Sequence, residues 1–108
     1  MKEAEVELYS EATGAAIVRV PGRRFPGVVL QGDSLSILHV NAKDLSTRLK
    51  ELGVQDEELL YAAQELQEQL LSRLLHYQQV LAVHGIELPY SGAVAPSDLV
   101  RLVPRGRR

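Results

Sequence analysis

The side chains best placed for chemistry in this 108-residue chain lie in Gly32-Asp33-Ser34-Leu35. An apolar stretch, Val28-Val29-Leu30, precedes them and a helical pattern follows. A serine hydroxyl at such a junction, beside the free N–H groups of a helix start, suits attack on an ester carbonyl, with those N–H groups stabilising the oxyanion. The serine then needs a base, and the base needs an orienting acid. The candidates for base are His39, His76 and His84.

The same four residues are similar to the GDSL nucleophile block of a class of serine esterases. That class supplies its acid and base late in the chain as D-x-x-H. Here the residues three before the histidines are Ser36, Arg73 and Leu81, and a Gly-x-Asn-Asp block is missing. The chain is also too short for the parallel α/β domain that holds those parts. The competing reading makes Asp33 or Ser34 a helix cap, accepting from free backbone N–H groups. No catalytic residue is assigned on this basis. Whether the chain is an enzyme stays open, with the balance against.

Metal and cofactor chemistry find little support. The chain has no Cys, which removes thiolate zinc sites, disulfides and thiol catalysis. His76 and His84 stand about 12 Å apart along one helix, too far to share an ion. Neither G-x-G-x-x-G nor G-x-x-x-x-G-K occurs. Arg23 and Arg24 precede the helix start, where guanidinium forks and free N–H groups can hold an anion. An anionic-ligand site would comprise Arg24, Asp33 and Ser34. Asp33 competes for the same positive site, so pairing of Arg23 or Arg24 with Asp33 or a strand glutamate is the alternative.

These residues must be held by a small number of elements. Ala4, Val6 and Leu8 alternate with Glu3, Glu5 and Glu7, the pattern of a half-buried strand. Ala15 to Val20 forms a second strand after a turn at Ser10–Gly14. If Tyr9 pairs with Ala15, Glu5 faces Arg19. Arg23-Arg24-Phe25 sits in a loop bracketed by Pro21-Gly22 and Pro26-Gly27. Val28 to Leu30 is a third strand or an extended lead-in. Leu35, Leu38, Ala42, Leu45, Leu49 and Leu52 recur at helical spacing and stop at Gly53. Asp56 caps a second helix, which runs to His84. Its main stripe is Leu59, Ala63, Leu66, Leu70, Leu74, Tyr77 and Leu81, and Leu60, Leu71 and Leu75 form another. At roughly 43 Å this helix would exceed the ~34 Å diameter of a compact domain of this size. A homodimer through Leu60, Leu71 and Leu75 would cover the overhang; the alternative is cover from the first helix and the sheet. Ile86, Leu88 and Tyr90 alternate, as if returning to the sheet edge.

The expected fold is therefore α+β: a small antiparallel sheet of two or three strands packed on a long antiparallel helical hairpin, in the order β-β-(β)-α-α. Residues 1–90 form one domain, and residues 91–108 read as a basic, mostly disordered tail. Charge is segregated: residues 15–50 carry six bases against two acids, and residues 51–90 carry seven acids against one base. A net charge of -2 and the lack of a nucleic-acid-reading motif argue against a nucleic-acid partner, leaving weak binding through the basic loop and tail as a further alternative. No apolar run approaches a membrane span, and acids stand where a signal peptide has bases, so a cytoplasmic location is expected.

The stretch VELYSEATGAAIVRVPGRRFPGVVLQGDSLSIL, continued through HYQQVLAVHGIELPY, resembles a family of small uncharacterised bacterial proteins. The most distinctive part is Pro21 to Gly27 followed by Gln31 to Ser34. The resemblance implies a bacterial, cytoplasmic protein and carries no functional residues with it. The reading reached is a non-catalytic protein-binding module of an accessory or immunity type, with a bacterial protein partner and a homodimeric form open to it. Its partner-binding residues would be Arg23, Arg24 and Phe25 on the loop and Leu60, Leu71 and Leu75 on the helix. No cofactor is called for.

Overall fold

The computed structural model describes residues 2–10 and 15–104. Three strands, β1 (Glu7–Ser10), β2 (Ala15–Arg19) and β3 (Gly27–Leu30), form an antiparallel sheet in the order β1-β2-β3. Two helices follow, α1 (Gly32–Glu51) and α2 (Glu57–Val83), and then a short 3-10 turn at Pro96–Asp98. This is the α+β hairpin architecture expected, with the third strand formed. The turn expected at Ser10–Gly14 lies mostly outside the described residues.

The register of β1 on β2 places Glu7 opposite Arg19 and Leu8 opposite Val18, with an irregularity between Leu8 and Ser10. The pairing of Glu5 with Arg19 is thus displaced by two residues. A two-residue shift keeps each side chain on its own face, so Arg19 still meets a glutamate, and its Nε donates to Glu7 Oε1 at 2.6 Å. β3 pairs Leu30 with Ala15 and Val28 with Ile17.

Helix boundaries follow local chemistry. The Asp56 carboxylate accepts the Leu59 N–H at 3.1 Å, and Glu57 and Glu58 occupy the first turn of α2, where the helix dipole favours them. α1 departs from expectation: Gln31 holds the cap position without a side-chain bond, and Asp33 accepts the Ser34 N–H at 2.9 Å inside the first turn. Both helices close on glycines of positive φ, Gly53 and Gly85. Val54 donates back to Leu49 and Ile86 to Leu81, which satisfies carbonyls the helix leaves free.

The helices pack chiefly on each other, around Ala42 and Leu49 of α1 and Ala63, Leu71 and Leu74 of α2. The inward faces are rotated from the expected stripes. On α1, His39 and Ser46 go inside while Leu38 and Leu45 remain 44% and 47% exposed. On α2, Gln64 and Gln67 go inside while Leu59 and Leu66 stay outside. The cause is chain beyond the helices. Residues 94–103, expected to belong to a disordered tail, lie along α2, and Val103 is buried. Only the final Arg105–Arg108 of that tail lies outside the described residues. Ile86 to Tyr90 form no strand; Tyr90 instead donates its hydroxyl proton to Gln78 at 2.9 Å.

The molecule measures 48 × 31 × 28 Å, with a radius of gyration of 16.5 Å. A compact chain of this length would have about 13 Å. Its accessible surface is 8112 Å², whereas a folded monomer of 11.9 kDa is expected to expose about 5,900 Å².

Candidate interaction site

The residues that suggested chemistry are dispersed. Ser34 makes no hydrogen bond to a histidine among the described residues. Gly32 of the same motif serves packing: a Cβ there would collide with the Tyr77 ring. Arg24 stands over the Phe25 ring, 5.2 Å from its centroid, and Phe25 is 72% exposed. Asp33 is engaged with the Ser34 N–H and Arg24 with the Phe25 ring, and among the described residues no ion pair joins Arg24 to Asp33. No ion pair joins Arg23 or Arg24 to Asp33 or to a β1 glutamate among the described residues; Arg19 takes Glu7 instead. The same residues include no group of three potential metal ligands. A groove of about 560 Å³ separates Val28 and Leu30 of β3 from Leu35, Tyr77 and Val80 of the helices.

The strongest polar construction lies on the inward face of the hairpin. The Gln67 amide is fully buried and pairs twice with one residue: Nε2 donates to the Val100 carbonyl at 2.9 Å, and Oε1 accepts the Val100 N–H at 2.8 Å. Gln78 does the same with Val94, at 3.0 and 2.8 Å. Gln64 Oε1 accepts from both Leu102 and Val103, at 2.6 and 2.9 Å. Residues 94–103 therefore form a strap running antiparallel to α2, its backbone satisfied by side-chain amides in place of a sheet ladder. From Gln67 to Gln78 the helix rises about 16 Å. Six strap residues cover that span, less than full extension, because Pro96–Asp98 turns.

α1 grips the turn. Lys43 Nζ donates to Asp98 Oδ1 at 2.7 Å, while Asp98 Oδ2 accepts the Ala95 N–H at 2.7 Å. The Lys43 bond and then the Ala95 bond hold the Asp98 carboxyl below its ordinary pKa. One turn before Lys43, His39 is buried, and burial lowers its pKa despite the nearby Asp98 charge. Among the described residues, His39 Nε2 and Ser46 Oγ are buried without hydrogen-bond partners.

The outward face is apolar. Leu38 and Leu45 of α1 and Leu66 and Leu70 of α2 border one cleft of about 290 Å³. Leu52 and Leu59 extend this set of exposed leucines toward the inter-helix turn. The stripe expected to meet a partner is displaced from this face. Leu71 is buried within the chain, and Leu60 borders a cleft shared with Leu102, Val103 and Pro104 of the strap segment. Leu75 is half-buried.

The glutamines were missed in the sequence, although a signal exists. Gln64, Gln67, Leu71, Leu74, Gln78 and Leu81 recur at steps of three and four, so the amides interrupt an otherwise apolar stripe.

The architecture is a helical hairpin carrying a small antiparallel sheet. The family model that matches residues 1–90 is a family of unknown function, DUF6959, and the chain belongs to that family. No curated protein matches the chain. No solved structure matches it either. No helix among the described residues is long and apolar enough to cross a membrane.

Proposed function

We propose that this chain is a non-catalytic protein-binding module that works as a homodimer, closed over the outward leucine face of its hairpin. The observation that carries this reading is the uncovered surface. Leu38, Leu45, Leu59 and Leu66 are each between 44% and 47% exposed on that face. Leu38, Leu45, Leu59 and Leu66 are spaced by seven within each helix, so two hairpins packed face to face would form a four-helix core. The Arg23-Arg24-Phe25 loop is exposed and carries a stacked guanidinium, the residue types enriched where proteins bind other proteins. The family resemblance supports a bacterial origin, and the lack of Cys suits a cytoplasmic accessory role.

Sedimentation equilibrium tests the assembly. The wild type should sediment at twice the chain mass. The double variant Leu45→Glu/Leu66→Glu should sediment at the chain mass with its helical circular dichroism retained. A wild type that stays monomeric at 100 μM would sink the dimer.

A further inference from the structure

We propose that the inward face of the hairpin, lined by Gln64, Gln67 and Gln78, is a peptide-binding groove. The strap at 94–103 is its intramolecular occupant, and on release of the strap the groove takes an extended segment of another protein. This deepens the protein-binding reading and is independent of the dimer, since a monomer that captures peptide would support one and overturn the other.

Three observations point this way. First, the groove reads backbone. Gln67 and Gln78 each engage both the N–H and the C=O of a single strap residue, and Gln64 takes two further N–H groups. Every peptide carries these groups, so such recognition tolerates sequence; side-chain demands fall on the buried Val103 and on Asp98, which meets Lys43. Second, the groove and its occupant differ in standing. The match to the family ends at residue 90, so it includes all three glutamines and excludes the whole strap. Third, the groove has polar capacity that the strap leaves unused. His39 Nε2 and Ser46 Oγ, on the same side of α1 as Lys43, are buried and unpartnered. Buried polar groups are ordinarily satisfied, and an occupant offering groups there would be better matched than the strap.

The occupant this chemistry selects is an extended peptide with small apolar residues at the places of Val94, Val100 and Val103 and an acid at that of Asp98. The strap competes with it at a high effective concentration, because residues 84–93 tether it to the end of α2.

The test uses the full chain and a fluorescein-labelled peptide of residues 92–104, read by anisotropy. In Val103→Asp the tethered strap is weakened, so this variant should bind the peptide at least ten-fold more tightly than the wild type. N-methylation of the peptide at the Val100 position, which removes the N–H that Gln67 accepts, should cost at least ten-fold. A second peptide that keeps the three valines and the aspartate but changes every other residue should bind within about three-fold of the first. Adding Gln67→Leu to Val103→Asp should abolish capture. Equal binding by wild type and variant, indifference to N-methylation, or failure of the second peptide would overturn the proposal. If Val103→Asp loses its helical signal, Asp98→Asn replaces it. That variant removes the carboxylate charge that pairs with Lys43 and one of the two oxygens that meet Lys43 and the Ala95 N–H, and it should raise peptide affinity several-fold; an unchanged affinity there would also overturn the proposal.

Discussion

The two faces of the helical hairpin solve the same problem in different ways. The inward face carries amides, and the chain covers it with its own backbone, each amide matched to one or two strap residues. The outward face carries leucines, and the described residues leave it open. The difference lies in how demanding each chemistry is. A buried amide tolerates only a partner with groups at set distances and angles, so its cover must be specified residue by residue. A leucine accepts any apolar surface of fitting shape, so a second copy can cover it. Polar faces specify a particular occupant, and apolar faces supply area.

The comparison can be broken most severely on the outward side. Leu45→Glu with Leu66→Glu should weaken self-association on the order of 100-fold or more, read by sedimentation, with the strap contacts intact. On the inward side, Gln67→Leu leaves the Val100 N–H and C=O without partners. It should cost about 1–3 kcal/mol in denaturant unfolding and speed amide exchange at Val100, with the sedimentation behaviour unchanged. Changes at both faces should add, because they touch different partners.

A comparable loss is expected where α1 begins. Gly32→Ala should destabilise by about 1–3 kcal/mol, since the new methyl meets the Tyr77 ring. The same change in a Tyr77→Leu background should cost much less, and a double-mutant cycle measures the difference.

Acid should act on the inward face first. The pKa of His39 is lowered by burial, so the unfolded chain takes up its proton at a higher pH than the folded chain does. Stability should therefore fall as pH drops below about 6.5, the ordinary histidine value, and continue falling to the depressed folded value. Asp98, held down chiefly by Lys43, adds a second loss at lower pH, as the carboxyl protonates below its ordinary range. His39→Leu should flatten the first slope and leave the second, as followed by melting temperature against pH.

The smallest effect on folding is expected at the loop. Arg23→Glu with Arg24→Glu should change unfolding free energy by no more than about 0.5 kcal/mol, because both residues are exposed and the stacking on Phe25 is local. Any loss of partner binding in that variant is then a property of the loop itself.

The sequence by itself determined the elements. Alternation in β2, the Asp56 cap, the glycine stops at 53 and 85 and the leucine spacing are local signals, and each produces its strand, helix or boundary where it stands; the alternation over residues 3–8 does not, since β1 runs Glu7–Ser10 and Val6 and Leu8 stay about half exposed. The three-residue to four-residue recurrence marked one apolar stripe on α1 and two on α2. Tertiary structure alone decided which side faces inward. The amide of Gln67 reads as surface until the backbone of Val100, thirty-three residues away in sequence, arrives to pair with it. The tail reads as disordered by composition because its hydrogen bonds are made to side chains of a distant helix, and no local pattern encodes that. Leu38 and Leu45 read as core because burial of leucine is the default, yet the buried positions of α1 beside them go to His39 and Ser46. Periodicity is a property of one helix, whereas the direction a helix turns depends on the partner that satisfies its most demanding groups.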